Sequence, residues 1–191
     1  MIGKRKALKI FTGLVLISVL LFAYLLVVPQ MEKVTGLDTK NSEGKSGKIL
    51  VVYHPGLSSF QKDVTMSYVK GLVERNFIVD ITTPSSNTTT EITNYDLIIL
   101  GAPTYEFAPA KPMENYITRV SDFKGKKIVV IITGSGSTDE SVAKMKELIE
   151  STNGALIESL PLWFLGPNEE IYGISDASEI AYKSALNLDI S

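Results

Sequence analysis

The sequence predicts an α/β domain with a doubly wound, five-stranded parallel sheet, preceded by a single transmembrane helix. Short, continuous runs of aliphatic and β-branched residues predict the sheet, because such runs are typical of strands buried on both faces. These runs alternate with amphipathic segments, an order that indicates strand–helix–strand units and parallel pairing. A long apolar stretch without charged residues predicts the membrane helix. We expect residues 1–31 to form the anchor, 32–47 a flexible tether and 48–191 the domain.

The N-terminal segment is the first element. Residues 10–31 contain no Asp, Glu, Lys, Arg or His, and about twenty apolar residues in a helix span the hydrocarbon of a bilayer. A cleaved signal peptide is the alternative, because a basic start followed by an apolar run is typical of one. The run is longer than the core of a signal peptide and ends in Val27-Val28-Pro29, without a small-residue cleavage site. The sequence therefore favours an uncleaved, single-pass membrane anchor over residues 10–31.

Basic residues on either side of this segment bear on its orientation. Four precede it and four follow it closely, and the second group is Lys33, Lys40, Lys45 and Lys48. The first group is denser and directly adjoins the apolar run, which favours a cytoplasmic N-terminus. The side of the membrane on which the domain lies stays open.

Charge and composition exclude several classes of function. Of the 19 basic residues four lie in the first nine positions, so the rest of the chain carries 15 basic and 21 acidic residues. This balance argues against nonspecific binding of nucleic acid, which needs a basic surface. The absence of cysteine excludes disulfides, thiolate metal sites and cysteine nucleophiles. The single histidine, His54, has no visible catalytic partners, and we interpret it as a loop residue.

The tether and the strands follow from local composition. Residues 32–47 are polar, contain glycine and serine, and show no periodicity. Five apolar runs then predict the strands, which are 48–53, 77–82, 95–101, 127–133 and 155–164. The segment 83–94 is too rich in threonine, serine and asparagine for a long helix, so we expect a loop there.

Helices are predicted between these strands and after the last one. Ser58 with Gln61, and Ser137 with Glu140, have the spacing of a capping box that opens a helix. The remaining predicted helices are 109–120 and 176–188. In an open parallel sheet, ligands bind beyond the carboxyl ends of the strands. Candidate functional residues therefore belong to the loops at that edge, which are 54–59, 102–109 and 134–137.

Each loop has a residue pattern that suits a ligand. In the first, Ser58 and Ser59 precede a helix, whose free N–H groups and dipole attract phosphate, although both serines also fit as simple caps. In the second, Tyr105 and Phe107 offer a flat apolar wall to a planar ligand, or else close over the core. The third loop has a Gly-Ser-Gly sequence that permits close backbone approach, but as a dinucleotide motif it is weak.

Two segments carry a resemblance to a known family. YDLIILGAPTYEFAPAKPM (95–113) and KGKKIVVIITGSGS (124–137), together with the order of elements, resemble flavodoxins and flavodoxin-like proteins. The resemblance implies FMN bound noncovalently, with its phosphate at Ser58 and Ser59. It further implies electron transfer to a partner protein or to a small acceptor. The residues that the resemblance implies around the flavin ring are Pro103, Thr104, Tyr105, Glu106, Gly134 and Gly136.

Two departures from the family pattern keep alternatives open. The first loop reads HPGLSS and lacks the threonines usual in flavodoxin phosphate loops, and the third loop brings no aromatic residue to the second face of the ring. The predicted function is a membrane-anchored FMN-binding electron carrier. The alternatives are a flavin-free flavodoxin-like binding module at the membrane, and an FMN-dependent reductase of quinones or similar acceptors.

Overall fold

The computed structural model describes residues 3–165, 168 and 173–190. The chain divides into two compact units, residues 1–31 and residues 32–191. Helices and strands are numbered in chain order. The strands are β1 (Asp38–Lys40), β2 (Lys48–Tyr53), β3 (Ile78–Thr82), β4 (Leu97–Tyr105), β5 (Ala108–Pro109), β6 (Lys127–Gly134) and β7 (Ala155–Trp163). The α-helices are α1 (Lys4–Val27), α2 (Phe60–Glu74), α3 (Lys111–Val120), α4 (Asp139–Ser151) and α5 (Ala177–Asn187).

The first unit is essentially the helix α1, which continues into a 3₁₀ turn, Val28–Gln30. Its 24 residues extend about 36 Å at the rise of an α-helix. The hydroxyls of Thr12 and Ser18 donate to carbonyl oxygens one turn earlier, so they need no partner outside the helix. Among the described residues α1 with its 3₁₀ turn is the one segment long and apolar enough to cross a membrane, by length and composition.

The second unit is built on the predicted doubly wound sheet. Five parallel strands lie in the order β3-β2-β4-β6-β7, which confirms the predicted fold class. The chain adds β3 on one side of β2 and then crosses to add β4 on the other side. The switch in strand order therefore lies between β2 and β4, and ligands of such sheets bind in the crevice beside it. Two short strands add to the predicted five: β1 pairs antiparallel with β3, and β5 pairs antiparallel with β4.

Two apolar layers cover the sheet. Ile49 and Val51 of β2 pack towards α2 and α5, whereas Leu50 and Val52 pack towards α3 and α4. All four side chains are fully buried. Because both faces are covered, the strand is a continuous apolar run with no polar alternation, which is why the sequence predicts it well.

The segment predicted as a flexible tether contains a short edge strand in the structure. Asp38 pairs with Ile81 and Lys40 with Val79, so β1 extends the sheet at its edge. Further along, the carbonyl oxygen of Asn76 accepts from the N–H groups of residues 45 and 46. Residues 32–47 thus include an edge strand and a backbone-bonded turn, whereas the role of the segment as a tether stays a prediction. A three-residue exposed strand has no hydrophobic periodicity, so composition alone does not reveal it.

Helix starts also differ from the capping boxes that the sequence predicts. The helix α2 begins after Ser59, and Gln61 is buried and does not reach back to a cap. The helix α4 begins after Thr138, one residue later than expected. Among the five α-helices that the structure describes, α5 alone has a side-chain cap of the usual kind, in which Asp176 accepts from the N–H of Glu179 at 2.9 Å.

Candidate functional site

The three loops singled out in the sequence meet at the carboxyl edge of the sheet and enclose a cleft of about 280 Å³. The end of β7 supplies a fourth side. The residues that line the cleft are Leu57, Ser58, Phe60, Pro103, Thr104, Tyr105, Thr133, Gly134, Ser135 and Phe164. The cleft lies at the switch in strand order, where the fold positions ligands.

A hairpin presents the second loop to the cleft. The strand β4 runs beyond its parallel neighbours and turns back into β5, so that Tyr105 faces Ala108. The two turn residues, Glu106 and Phe107, both have left-handed backbone angles, with φ of 50° and 64°. Turns of this kind favour Asn-Gly, and a left-handed residue with a side chain costs about 1–2 kcal/mol. The strained turn holds Tyr105 at the cleft and leaves Phe107 68% exposed at the tip.

Tyr105 also contacts the first loop. Its hydroxyl oxygen accepts from the N–H of Leu57 at 3.0 Å. Gly56 has φ of 74°, and a Cβ on it would lie 3.0 Å from the same hydroxyl, so this close approach requires glycine. Burial raises the pKa of the Tyr105 phenol, and the Leu57 N–H offsets this only in part. The phenol is therefore neutral at physiological pH, and its oxygen takes one of the N–H groups of the loop.

Two further contacts fix the shape of the first loop. The N–H of Gly56 donates to Nδ1 of His54 at 3.2 Å, and the N–H of His54 donates to the carbonyl of Gly101 at 2.8 Å. His54 is fully buried, so its ring is part of the loop's internal structure rather than an exposed loop side chain. The carbonyl of Gly56 accepts from the ammonium of Lys33 at 2.6 Å.

Ser58 and Ser59 lie at the N-terminus of α2, and both are exposed. Ser58 Oγ accepts from the N–H of Phe60 at 3.4 Å, which is long for a hydrogen bond. Ser59 occupies the N-cap position and makes no capping hydrogen bond through its side chain within the described part of the chain. The dipole of a 15-residue helix points its positive end at this place, so the arrangement suits an anion.

A buried hydroxyl lies at the end of β4, in the lining of the cleft. Thr104 Oγ1 is buried and has no hydrogen-bond partner among the described residues. Such a group costs about 1–3 kcal/mol unless something else bonds it. Opposite it, a Cβ on Gly134 would lie 2.7 Å from Cγ2 of Thr138 and 3.7 Å from Cβ of Thr104. The end of β6 therefore needs glycine to stay close to β4.

An amide side chain connects the elements behind the cleft. Oε1 of Gln61 accepts from the hydroxyl of Thr133 at 2.7 Å, and its Nε2 donates to Thr65 at 3.0 Å. Gln61 belongs to α2 and Thr133 to β6, so this bond fixes the helix relative to the end of the strand. Because Thr133 lines the cleft, the link lies directly behind it. A Cβ on Gly101 would lie 2.9 Å from Nε2 of Gln61, so the strand needs glycine beside this amide.

The structure brings most of the predicted site residues together. Ser58, Pro103, Thr104, Tyr105 and Gly134 line the cleft. The remaining predicted residues, Ser59, Glu106 and Gly136, lie in the same three loops but outside its lining. These positions follow the sequence prediction of the loops, whereas contact with a cofactor stays a prediction for every one of them.

An aromatic residue that the sequence analysis missed forms the fourth side. Phe164 lines the cleft, is 65% exposed and packs edge-on against Phe60, with ring centroids 5.5 Å apart. Its N–H donates to the carbonyl of Gly134 at 2.8 Å, which ties it to the third loop. The sequence analysis expected no aromatic residue on the second face of a flavin ring, because the third loop, residues 134–137, contains none. Because β6 and β7 are adjacent, the aromatic pair Trp163-Phe164 at the end of the fifth predicted strand was the available signal.

The chemistry available in the cleft comes from backbone amides, hydroxyls and aromatic rings. Within residues 3–165, 168 and 173–190, no group of three or more His, Asp or Glu side chains is placed to hold a metal ion. Such a set of groups suits a ligand with an anionic end and a flat, uncharged part.

Comparisons with known proteins agree with this architecture. The chain matches no protein-family model, and no curated protein matches it in sequence. Among solved structures, oxidised flavodoxin 2 from Bacillus cereus superposes with a TM-score of 0.59 at 22% identity, over 73% of this chain and 95% of that one. The domain has the flavodoxin-like fold.

Two other flavodoxin-like structures show how widely the fold is shared. The two-electron reduced flavodoxin of Megasphaera elsdenii has a TM-score of 0.57 at 17% identity, over 72% of this chain and 98% of that one. The NAD(P)H:quinone oxidoreductase of Methanothermobacter marburgensis has a TM-score of 0.53 at 13% identity, over 76% and 100%. At these identities the likeness concerns the fold, and the activity has to be argued from the cleft.

Proposed function

We propose that the protein is an FMN-binding electron-transfer protein anchored to a membrane by residues 10–31. The observation that carries the proposal is the cleft at the switch in strand order, which combines the N-terminus of α2, a buried unpaired hydroxyl and aromatic side chains. Solved structures with the same fold include two flavodoxins, from Bacillus cereus and Megasphaera elsdenii. Their names support FMN as the cofactor, although the shared sequence is small.

The residues of the cleft suit the parts of FMN. Ser58, Ser59 and the free N–H groups at the start of α2 would hold the phosphate, where the helix dipole favours an anion. Tyr105 and Phe164 would flank the ring, and Thr104 Oγ1 would bond a polar atom of it. When bound, FMN supplies one- and two-electron redox chemistry. The protein orients the ring, excludes water from part of it and places the exposed carboxylate of Glu106 nearby.

The size of the cleft favours a partly accessible cofactor, which suits an electron carrier and a reductase alike. About 280 Å³ is at the lower limit of ligand pockets, so the cleft covers only part of a nucleotide. The exposed rings of Phe107 and Phe164 lie around the open side, where a redox partner protein or a small acceptor would approach. Nucleic acid is not an expected partner, because the domain carries more acidic than basic residues.

The membrane part of the proposal rests on the helix α1. Its length and composition suit a single span, and the basic cluster before it favours a cytoplasmic N-terminus. An electron carrier fixed to a membrane would meet its partner there at a raised local concentration.

Two alternatives each have an observation in their favour. A flavin-free binding module is favoured by Tyr105, whose hydroxyl already takes the N–H of Leu57 in the proposed phosphate loop. A quinone reductase is favoured by the open cleft and by the fold that the chain shares with the oxidoreductase from Methanothermobacter marburgensis.

The first experiment separates a flavoprotein from a flavin-free module. The full chain is purified in a non-ionic detergent, mixed with FMN and dialysed, and its visible absorption spectrum is recorded. We expect a flavin band that survives dialysis. A colourless protein that does not quench the fluorescence of added FMN would contradict the proposal and support the flavin-free module.

The second experiment separates a carrier from a reductase. The FMN-loaded protein is mixed with NAD(P)H and a soluble quinone, and NAD(P)H oxidation is followed over many turnovers. We expect no sustained oxidation, since a carrier receives its electrons from another protein. Continuous turnover above the rate with free FMN would instead assign the reductase activity.

A further inference from the structure

The segment that follows the apolar helix in the chain reaches the first loop of the candidate site. The ammonium of Lys33 donates to the carbonyl oxygen of Gly56 at 2.6 Å. Gly56 lies two residues before Ser58, the first residue proposed to hold phosphate, and the loop 54–59 contains no lysine or arginine of its own. Lys33 therefore brings a positive charge to a loop that otherwise offers an anion only N–H groups and hydroxyls.

The backbone around Lys33 is held in place by a threonine after β3. The hydroxyl of Thr83 donates to the carbonyl oxygen of Lys33. It also accepts from the N–H of Thr35 at 3.1 Å and lies 3.1 Å from that residue's hydroxyl. Before Lys33, the carboxylate of Glu32 accepts from the N–H of Ser86 at 2.9 Å and from its hydroxyl at 3.1 Å. Both ends of Lys33 are thus fixed, the backbone by Thr83 and the ammonium by Gly56.

The loop that holds this segment is itself braced. Thr83 is almost fully buried, and its carbonyl oxygen accepts from the hydroxyl of Thr88 at 2.5 Å. The guanidinium of Arg119 donates to the carbonyl oxygens of Ser85 and Ser86 at 2.7 Å and 2.6 Å. The position of Lys33 therefore depends on groups that are buried and held by several hydrogen bonds. Its side chain consequently loses less conformational entropy on contact with a ligand than a free surface lysine would.

We infer that Lys33 is a binding residue of the proposed FMN site, which fixes the carbonyl of Gly56 and directs a positive charge to the phosphate of the nucleotide. This inference rests on the proposed function and adds a residue from outside the sheet. It supplies an interaction that offsets the missing threonines of the first loop. Within the second unit, Lys33 thus links the loop after β3 to the loop proposed to hold phosphate.

The test compares FMN with riboflavin, which has the same ring but no phosphate. Both are titrated into the full chain in non-ionic detergent, with ligand fluorescence as the readout. We expect Lys33→Met to weaken FMN binding about fivefold and to leave riboflavin binding unchanged, because only FMN carries the charge that Lys33 meets. Lys33→Arg keeps the charge and a donor, so it should retain most of the FMN affinity.

Lys40→Met is the matched control. Lys40 lies on the same segment, and its substitution removes the same charge. Its exposed ammonium, however, pairs with Asp38 at 2.9 Å and not with the first loop of the site. FMN affinity should not change in this variant. Raising the salt concentration should narrow the difference between the unmodified protein and Lys33→Met, since screening weakens a charge contact at the surface.

Two results would overturn the inference about Lys33 while the proposed function stands. One is unchanged FMN affinity in Lys33→Met, and the other is an equal loss for FMN and riboflavin, which would indicate a general effect on the cleft. A protein that binds neither ligand would contradict the proposed function itself, and the role of Lys33 with it.

Discussion

At the scale of single residues, two buried hydroxyls have no hydrogen-bond partner in the described part of the chain, and they allow ligand binding to be tested separately from folding. Thr104 Oγ1 lines the cleft, whereas Ser141 Oγ is buried in the first turn of α4 and does not. Thr104→Val should lower FMN affinity about fivefold, since the bond to the cofactor is lost. The free energy of unfolding without ligand should not fall, because removing an unpaired buried hydroxyl relieves a cost. Fluorescence titration and urea unfolding measure the two effects.

The matched control for this prediction is Ser141→Ala. It should leave FMN affinity unchanged and likewise keep the free energy of unfolding at or above its original value. If Thr104→Val binds FMN as tightly as the unmodified protein, Thr104 does not contact the cofactor.

Tyr105 combines a ring at the cleft with a hydroxyl on the phosphate loop, and substitution separates the two roles. Tyr105→Phe keeps the ring and releases the N–H of Leu57, so FMN affinity should stay equal or rise. Tyr105→Ala removes the ring as well and should lower the affinity about tenfold. Because burial raises the pKa of the phenol, the affinity of the unmodified protein should not change with Tyr105 ionisation between pH 6 and 8. Equal losses in both variants would mean that the hydroxyl itself binds FMN.

At the scale of elements, a buried carboxylate of β3 joins the edge strand β1 to β2. Asp80 of β3 accepts from Thr39 of β1 at 2.6 Å, from Tyr95 at 2.9 Å and from the ammonium of Lys48 at 2.8 Å. Burial alone would raise the pKa of Asp80, but the three donors and the charge of Lys48 hold it below its ordinary value. One side-chain bond of β1, from Thr39, thus ends on an ionised Asp80 and adds to the backbone pairing between β1 and β3.

The ionised state of Asp80 gives a prediction with a definite pH window. Asp80→Asn should lower the free energy of unfolding by about 2 kcal/mol at pH 7, since it removes a buried charge and its bonds. An aspartate with a depressed pKa stabilises the fold above its ordinary pKa of about 4 and loses that contribution as the pH falls through the lower value. The difference between the two proteins, measured by urea unfolding, should therefore shrink from pH 5 to pH 2. A constant difference over that range would contradict the account.

At the scale of the whole molecule, the question is whether α1 holds the chain in a membrane. We expect the expressed chain to stay with membranes after alkaline extraction and to show the intact mass of all 191 residues. A variant with both Leu16→Lys and Leu20→Lys should be released, because each charge at the centre of a span costs about 3 kcal/mol. A shortened mass would assign the segment to a cleaved signal peptide, and a soluble intact chain would exclude the anchor.

The parts of the molecule that the sequence predicts well are those with strong local patterns. The strands β2 and β6 are continuous apolar runs because both faces of the sheet are covered, and they lie almost where expected. The loops of the site follow from the ends of those strands, which is why Ser58, Tyr105 and Gly134 meet. The sequence does not show β1, whose three exposed residues are held by backbone pairing with β3.

The rest of the site depends on contacts between distant segments. Phe164 reaches the cleft only because β6 and β7 are neighbours, and Lys33 reaches Gly56 only because Thr83 holds its backbone. Neither pairing leaves a periodicity in the sequence. The hydrogen bond between Tyr105 and Leu57 arises in the same way, from a hairpin that folds over the first loop.

The central claim is that FMN binds in the cleft formed by the three loops and the end of β7. Its most direct test is the change in backbone amide chemical shifts when FMN is added to the isotope-labelled full chain in detergent. We predict saturable shifts at one equivalent, concentrated at Leu57, Ser58, Tyr105 and Gly134. Chemical-shift changes concentrated at another part of the domain would contradict the claim. So would the absence of changes at these four residues with FMN in excess.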